Sequence, residues 1–89
     1  MTHELLQEAS EKLRAAAEAA DGDVQQRIYD QSDAVATLAA RESGPDHGRL
    51  ARHMNTLAEL AEETDGDAEE AVRDARSKLS TYREGVEGV

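Results

Sequence analysis

Arginine is the side chain of this sequence best equipped to recognise a ligand. Its planar fork of donors matches the oxygens of phosphate and carboxylate groups. Arg41, Arg49, Arg52 and Arg83 are the candidate binding residues of this kind. Tyr29 is a fifth candidate, as an aromatic beside the apolar Ile28 but off the main apolar stripe. The histidines do not form a metal motif. His47 and His53 are six residues apart, which puts them on different faces of a helix, and His3 would have to arrive from elsewhere. No His-Glu-x-x-His spacing occurs. The two Asp-Gly-Asp triplets, Asp21-Gly22-Asp23 and Asp65-Gly66-Asp67, lack the further oxygen ligands and closing Glu of a calcium loop. No metal and no cofactor is expected.

Catalysis finds no support in the residue types. There is no Cys, so there is no thiolate nucleophile and no Cys-based zinc site. No Ser stands in a nucleophile-elbow motif. The carboxylates are many but read as solvated, and a four-helix carboxylate metal site would need inward Glu and Glu-x-x-His pairs. The chain is not expected to be an enzyme.

Charge is the loudest feature of the composition. Twenty Asp and Glu face ten Lys and Arg, a formal net charge of −10. Low hydrophobicity with high net charge is a signature of disorder, but the apolar residues keep helical spacing, so an acidic folded surface is expected instead. Self-repulsion at this charge opposes compaction in dilute buffer. At 1 M salt the screening length falls to about 3 Å and the repulsion is largely removed. Only Lys12 and Lys78 are lysines, and Phe and Trp are absent. The acidic balance also opposes nucleic-acid binding, and no aromatic stacking platform exists. No run approaches the length of a membrane span. The start, Met1-Thr2-His3-Glu4, lacks the basic and apolar stretches of a signal peptide, so a cytoplasmic location is expected.

Four elements have to position these side chains. Asp21-Gly22-Asp23, Ser43-Gly44-Pro45-Asp46 and Asp65-Gly66-Asp67 interrupt the periodic segments. Each holds a Gly suited to closing a helix in the left-handed conformation. Asp23 with Gln26, and Asp67 with Glu70, have the spacing of capping boxes. Between the breaks the apolar residues recur every three to four positions. The first stripe is Leu6, Ala9, Leu13, Ala16, Ala17 and Ala20; the second Val24, Ile28, Val35, Leu38 and Ala39, with Gln31 intruding. The third is Leu50, Met54, Leu57, Leu60 and Ala61, with His53 on its edge; the fourth Ala68, Val72, Ala75, Leu79, Tyr82 and Val86. No segment reads as a strand.

Short loops make neighbouring helices antiparallel. The expected fold is therefore all-α, an antiparallel up-down-up-down four-helix bundle forming one domain over 1–89. A shift of 44 residues superimposes the Asp-Gly-Asp triplets, Leu6 on Leu50, Leu13 on Leu57, Ile28 on Val72 and Val35 on Leu79. This reads as a duplicated helical hairpin, with repeats at 3–43 and 46–84 and a frayed tail at 85–89. Such a bundle has unlike ends. One collects Arg41, Arg49, Arg52 and Arg83 with the histidines nearby; the other holds both Asp-Gly-Asp turns with Glu18, Glu62 and Glu63. The plain explanation of the arginines is local: Arg41 and Arg83 complement the dipoles of last turns, and Arg49 and Arg52 pair with neighbouring carboxylates.

The acidic, Lys-poor composition and the paired Asp-Gly-Asp hairpins resemble those of short uncharacterised helical proteins of haloarchaea. The resemblance implies a helical bundle in a high-salt cytoplasm and no particular activity. Two function classes are expected. One is a non-enzymatic protein-interaction or structural module, with another protein or a second copy of the chain as partner. The other is anion or small-ligand binding at the Arg-rich end.

Overall fold

The computed structural model describes residues 4–40 and 47–87. Among them are four helices and no strand: α1 (Glu4–Glu18), α2 (Gly22–Ala40), α3 (His47–Glu62) and α4 (Gly66–Glu87). The sequence breaks fall where expected at the first and third turns, while Ser43-Gly44-Pro45-Asp46 and Arg41 lie outside the described residues, as does His3. α4 continues through Gly85 to Glu87, where the sequence reading ends it at 84. Arg83 consequently sits before the last turn, which contains no basic residue, so the dipole explanation for this residue fails.

The two described turns rest on glycine. Gly22 has φ 66° and Gly66 φ 57°, the only positive values in the described chain. That backbone region costs an L side chain about 1–2 kcal/mol. The preceding helices tighten before they stop: the Ala19 amide donates to Ala16 O (3.1 Å) and the Glu63 amide to Leu60 O (3.1 Å), the three-residue bonds common at helix ends. The next helices begin at once, with Gln25 N donating to Asp21 O and Glu69 N to Asp65 O, both at 3.3 Å. Asp23 and Asp67 thus lie inside the first turns. The expected Asp23–Gln26 cap does not form; Gln26 Nε2 donates forward to Asp30 Oδ1 at 3.1 Å. An acidic residue there still favours the helix dipole.

Side chains add further donors to the carbonyls around the ends of α1 and α3, by different chemistry in the two turns. Gln25 reaches back across the first turn and donates to Ala17 O (2.9 Å) and Ala20 O (3.0 Å). The residue 44 positions on is Glu69, which has no amide to donate. In the second turn Thr64 Oγ1 takes the task, bonding Leu60 O (3.0 Å) and Ala61 O (3.1 Å). Glu69 instead accepts from Arg73 one helical turn away, at 2.8 Å.

The stripes meet in one core. Leu6, Leu13, Ile28, Val35, Leu50, Leu57, Leu60, Val72 and Leu79 are fully buried, with Ala9, Ala16, Ala17 and Ala75 between them. Ala20, Val24, Ala39 and Met54 pack on its margin. Two serines absent from the expected stripes, Ser10 and Ser32, are also buried. Ser32 Oγ donates to Ser10 O at 3.0 Å, which removes the cost of an unmet hydroxyl. The same cross-link recurs 44 residues on in other chemistry: Arg76 Nε donates to Met54 O, also at 3.0 Å. α1 packs along both α2 and α4, and α3 along α4; α2 and α3 barely touch. These contacts are compatible with a helical bundle, elongated at 38 × 20 × 19 Å.

Candidate functional site

The near-absence of packing between α2 and α3 is written in three pairs of positions. On the well-packed α1–α4 side, Ala9 and Ala75 are both fully buried. Small side chains let helix axes approach closely. The residues 44 positions away are His53 and Gln31. Their side chains meet head-on, His53 Nδ1 donating to Gln31 Oε1 at 2.9 Å, and fill the space that two methyl groups leave free. Because an amide oxygen only accepts, this bond puts the imidazole proton on Nδ1.

The two ion pairs of the α1–α4 side are missing as well. There Glu8 Oε1 lies 3.2 Å from Lys78 Nζ, and Asp74 Oδ2 3.4 Å from Lys12 Nζ. The positions corresponding to Glu8 and Lys78 are Arg52 and Ala34. Those corresponding to Lys12 and Asp74 are Thr56 and Asp30. Neither combination makes a salt bridge. An ion pair joins α2 to the turn after α3: Arg27 Nη1 contacts both Glu63 carboxylate oxygens, at 2.9 and 3.0 Å. It is exposed and contributes little stability.

Beyond the His53–Gln31 bond the helices leave an open groove of about 530 Å³. Gln31, Ala34, Thr37 and Leu38 line it from α2, and Arg49, Arg52, His53 and Thr56 from α3. Both threonines spend their hydroxyl protons on their own helices, Thr37 on Asp33 O and Thr56 on Arg52 O, each at 3.0 Å. Arg49 and Arg52 bring the groove its positive charge. His53 is half-buried, and burial pushes its pKa below the ordinary 6.5; the positive charges of Arg49 and then Arg52 push it the same way. The imidazole stays neutral near pH 7, with two permanent cations beside it.

Of the residues singled out from sequence, Arg49 and Arg52 come together in this groove. Arg52 makes no ion pair among the described residues, so the local pairing expected for it is not found. Arg83 is half-buried on α4 and does not line the groove. Tyr29 is partly buried and packs against the core. The groove residues that sequence reading missed are Gln31, Ala34, Thr37, Leu38 and Thr56. The signal lay in the departures from the 44-residue match, at His53, Arg52 and Ala34, and not in the matches themselves.

At the other turn end, Asp21 and Asp65 line a small depression with Glu63 and Thr64. Among the described residues no group of three His, Asp or Glu is placed to hold a metal ion. None of the described helices is long and apolar enough to cross a membrane. No curated protein and no solved structure matches the chain. A family model does match, over residues 1–85, and by it the chain belongs to a family of unknown function (DUF7553).

Proposed function

We propose that this chain is a non-enzymatic protein-interaction module whose working face is the α2–α3 groove. The occupant is an acidic segment of a partner protein, laid between the two helices that do not close on each other. One observation carries the reading: α1 packs along α4, with two ion pairs between them, whereas α2 and α3 barely touch and the corresponding positions hold His53, Gln31, Arg52 and Ala34. Two arginines in an otherwise acidic molecule select for a carboxylate-bearing partner.

In this reading the bundle is an antiparallel up-down-up-down arrangement built by duplication of one hairpin. The Lys12–Asp74 and Glu8–Lys78 pairs, which progress in opposite directions along α1 and α4, support the first point. The Ser32–Ser10 and Arg76–Met54 bonds, 44 residues apart, support the second. The acidic, Lys-poor surface supports a haloarchaeal origin and a salt-adapted cytoplasm. The alternative reading, anion or small-ligand binding at an Arg-rich end, retains Arg49 and Arg52 as its site and loses Arg83.

The test is substitution of Ala34 by Glu, which places a carboxylate of the chain's own in the groove that Arg52 lines. Tagged wild type and Ala34→Glu are used to capture partners from host lysate at molar salt. The expected result is a stoichiometric protein retained by wild type and lost with the variant. A partner set identical for both proteins, or no partner for either, overturns the reading. A concentration-dependent mass that disappears in Ala34→Glu would identify the partner as a second copy.

A further inference from the structure

One ion pair distinguishes the two sides of the bundle in a way that specifies a ligand. On the α1–α4 side the Glu8 carboxylate meets the Lys78 ammonium at 3.2 Å, and the Lys78 side chain is only 24% exposed. It fills its position with a stem and its partner's field with a charge. In the groove the position of Lys78 is held by Ala34, a single methyl, and that of Glu8 by Arg52. Ala34 brings no cation to that position, and Arg52, an exposed residue lining the same groove, makes no ion pair among the described residues.

We propose that the groove contains an oxyanion subsite over Ala34, in which Arg52 receives one carboxylate or phosphate group. The inference rests on the reading of the groove as the binding face and names the chemistry that face recognises. Arg52 supplies the fork that binds two oxygens of one anion side by side. Arg49, three residues earlier on the same helix face, lines the same groove and adds a second positive charge. Thr37 and Thr56 flank the site with hydroxyls already committed to backbone carbonyls, so they do not compete with the arginines as donors. Leu38 gives the floor an apolar margin for whatever carries the anionic group.

The net charge of −10 refines the ligand. Long-range attraction for a polyanion is absent, so binding depends on short-range contact with a localised charge. A single carboxylate or phosphate group meets that condition; a nucleic-acid backbone does not.

The test is a pair of NMR titrations of the full chain, one with inorganic phosphate and one with glutarate, following backbone amides and arginine Nε–H signals. The expected result is saturable shifts confined to the Arg49 and Arg52 side chains and the amides of Ala34, His53 and Thr56. Arg52→Gln should weaken the tighter of the two anions at least tenfold while keeping the helical circular dichroism of wild type. Ala34→Glu should abolish anion shifts and move the Arg52 Nε–H signal toward its ligand-bound position. Tighter phosphate binding would identify the source as a small phosphorylated ligand; tighter glutarate binding, a carboxylate of a partner segment. Shifts spread over the eight arginines of the chain without saturation, or binding unchanged in Arg52→Gln, overturn the subsite. The interaction reading fails separately: it falls if partner capture is indifferent to Ala34→Glu, whatever the anions do.

Discussion

At the scale of single residues, the core and the groove place opposite demands on side chains. Leu57 is fully buried among leucines and alanines, and Leu57→Ala should destabilise the chain by about 2–5 kcal/mol, the range for a leucine replaced by a cavity. Urea unfolding followed by circular dichroism measures it; a loss near zero would remove Leu57 from the core. His53 has the reverse character, a polar ring held where a methyl sits on the other side of the bundle. Its pKa is lowered by burial and then by Arg49 and Arg52. As pH falls below 6.5, the unfolded chain takes up a proton that the folded imidazole resists. Stability contributed by the neutral ring is therefore whole above pH 6.5 and declines below it, until the folded imidazole also titrates. His53→Gln should flatten this part of the pH–stability curve, and an unchanged slope would show that other groups carry it. Bound anion in the groove should raise the His53 pKa by offsetting the two arginines, which the imidazole C–H chemical shifts report directly.

Among the elements, the turns differ in how they are held. A Cβ at Gly22 would meet nothing within 4 Å, so the cost of Gly22→Ala is that of the backbone alone, about 1–2 kcal/mol. The same change at Gly66 should cost about the same. Removing the side-chain caps should separate the turns. Gln25→Ala removes the side-chain bonds to Ala17 O and Ala20 O and should lose about 0.5–1.5 kcal/mol. Glu69→Ala, at the matching position of the second turn, removes no cap and should lose less, while Thr64→Ala should resemble Gln25→Ala. Hydrogen exchange at the ends of α1 and α3 provides the local readout. Equal effects at Gln25 and Glu69 would show that the observed carbonyl bonds contribute nothing.

For the molecule as a whole, stability is set by a small core against a large negative charge. The core contains eight leucines at most and no Phe or Trp, so the favourable side is modest. Screening of self-repulsion should make the chain markedly more stable in molar KCl than in dilute buffer. Each kcal/mol recovered should raise Tm by about 4–8 °C for a domain of this size. A Tm independent of KCl between 0.1 and 3 M would remove the case for salt adaptation. Ala34→Glu bears on the same balance: a carboxylate in the groove lined by Arg49 and Arg52 should draw α2 and α3 together despite adding a negative charge, with a Tm at or above that of wild type in high salt.

The helices, their stripes and the glycine turns were determined by local sequence, because spacing of apolar residues and the left-handed preference of Gly act within a few positions. So too was the acidic character of the surface. The first cap departs from the same local rules: Asp23 and Gln26 have the right spacing, but a helix starting at Gly22 leaves Gln26 bonded to Asp30 and lets Gln25 serve the preceding turn. What only the tertiary structure decided is which helices close on each other. Ala9, Ala75, His53 and Gln31 are individually unremarkable helix residues. Their effect exists only across an interface, where two methyl groups permit contact and an imidazole meeting an amide holds the helices apart. Arg49 and Arg52 were visible as cations from the start, but their sharing of a groove with Ala34 depends on that separation, a property of the packing between α2 and α3 and of neither helix alone.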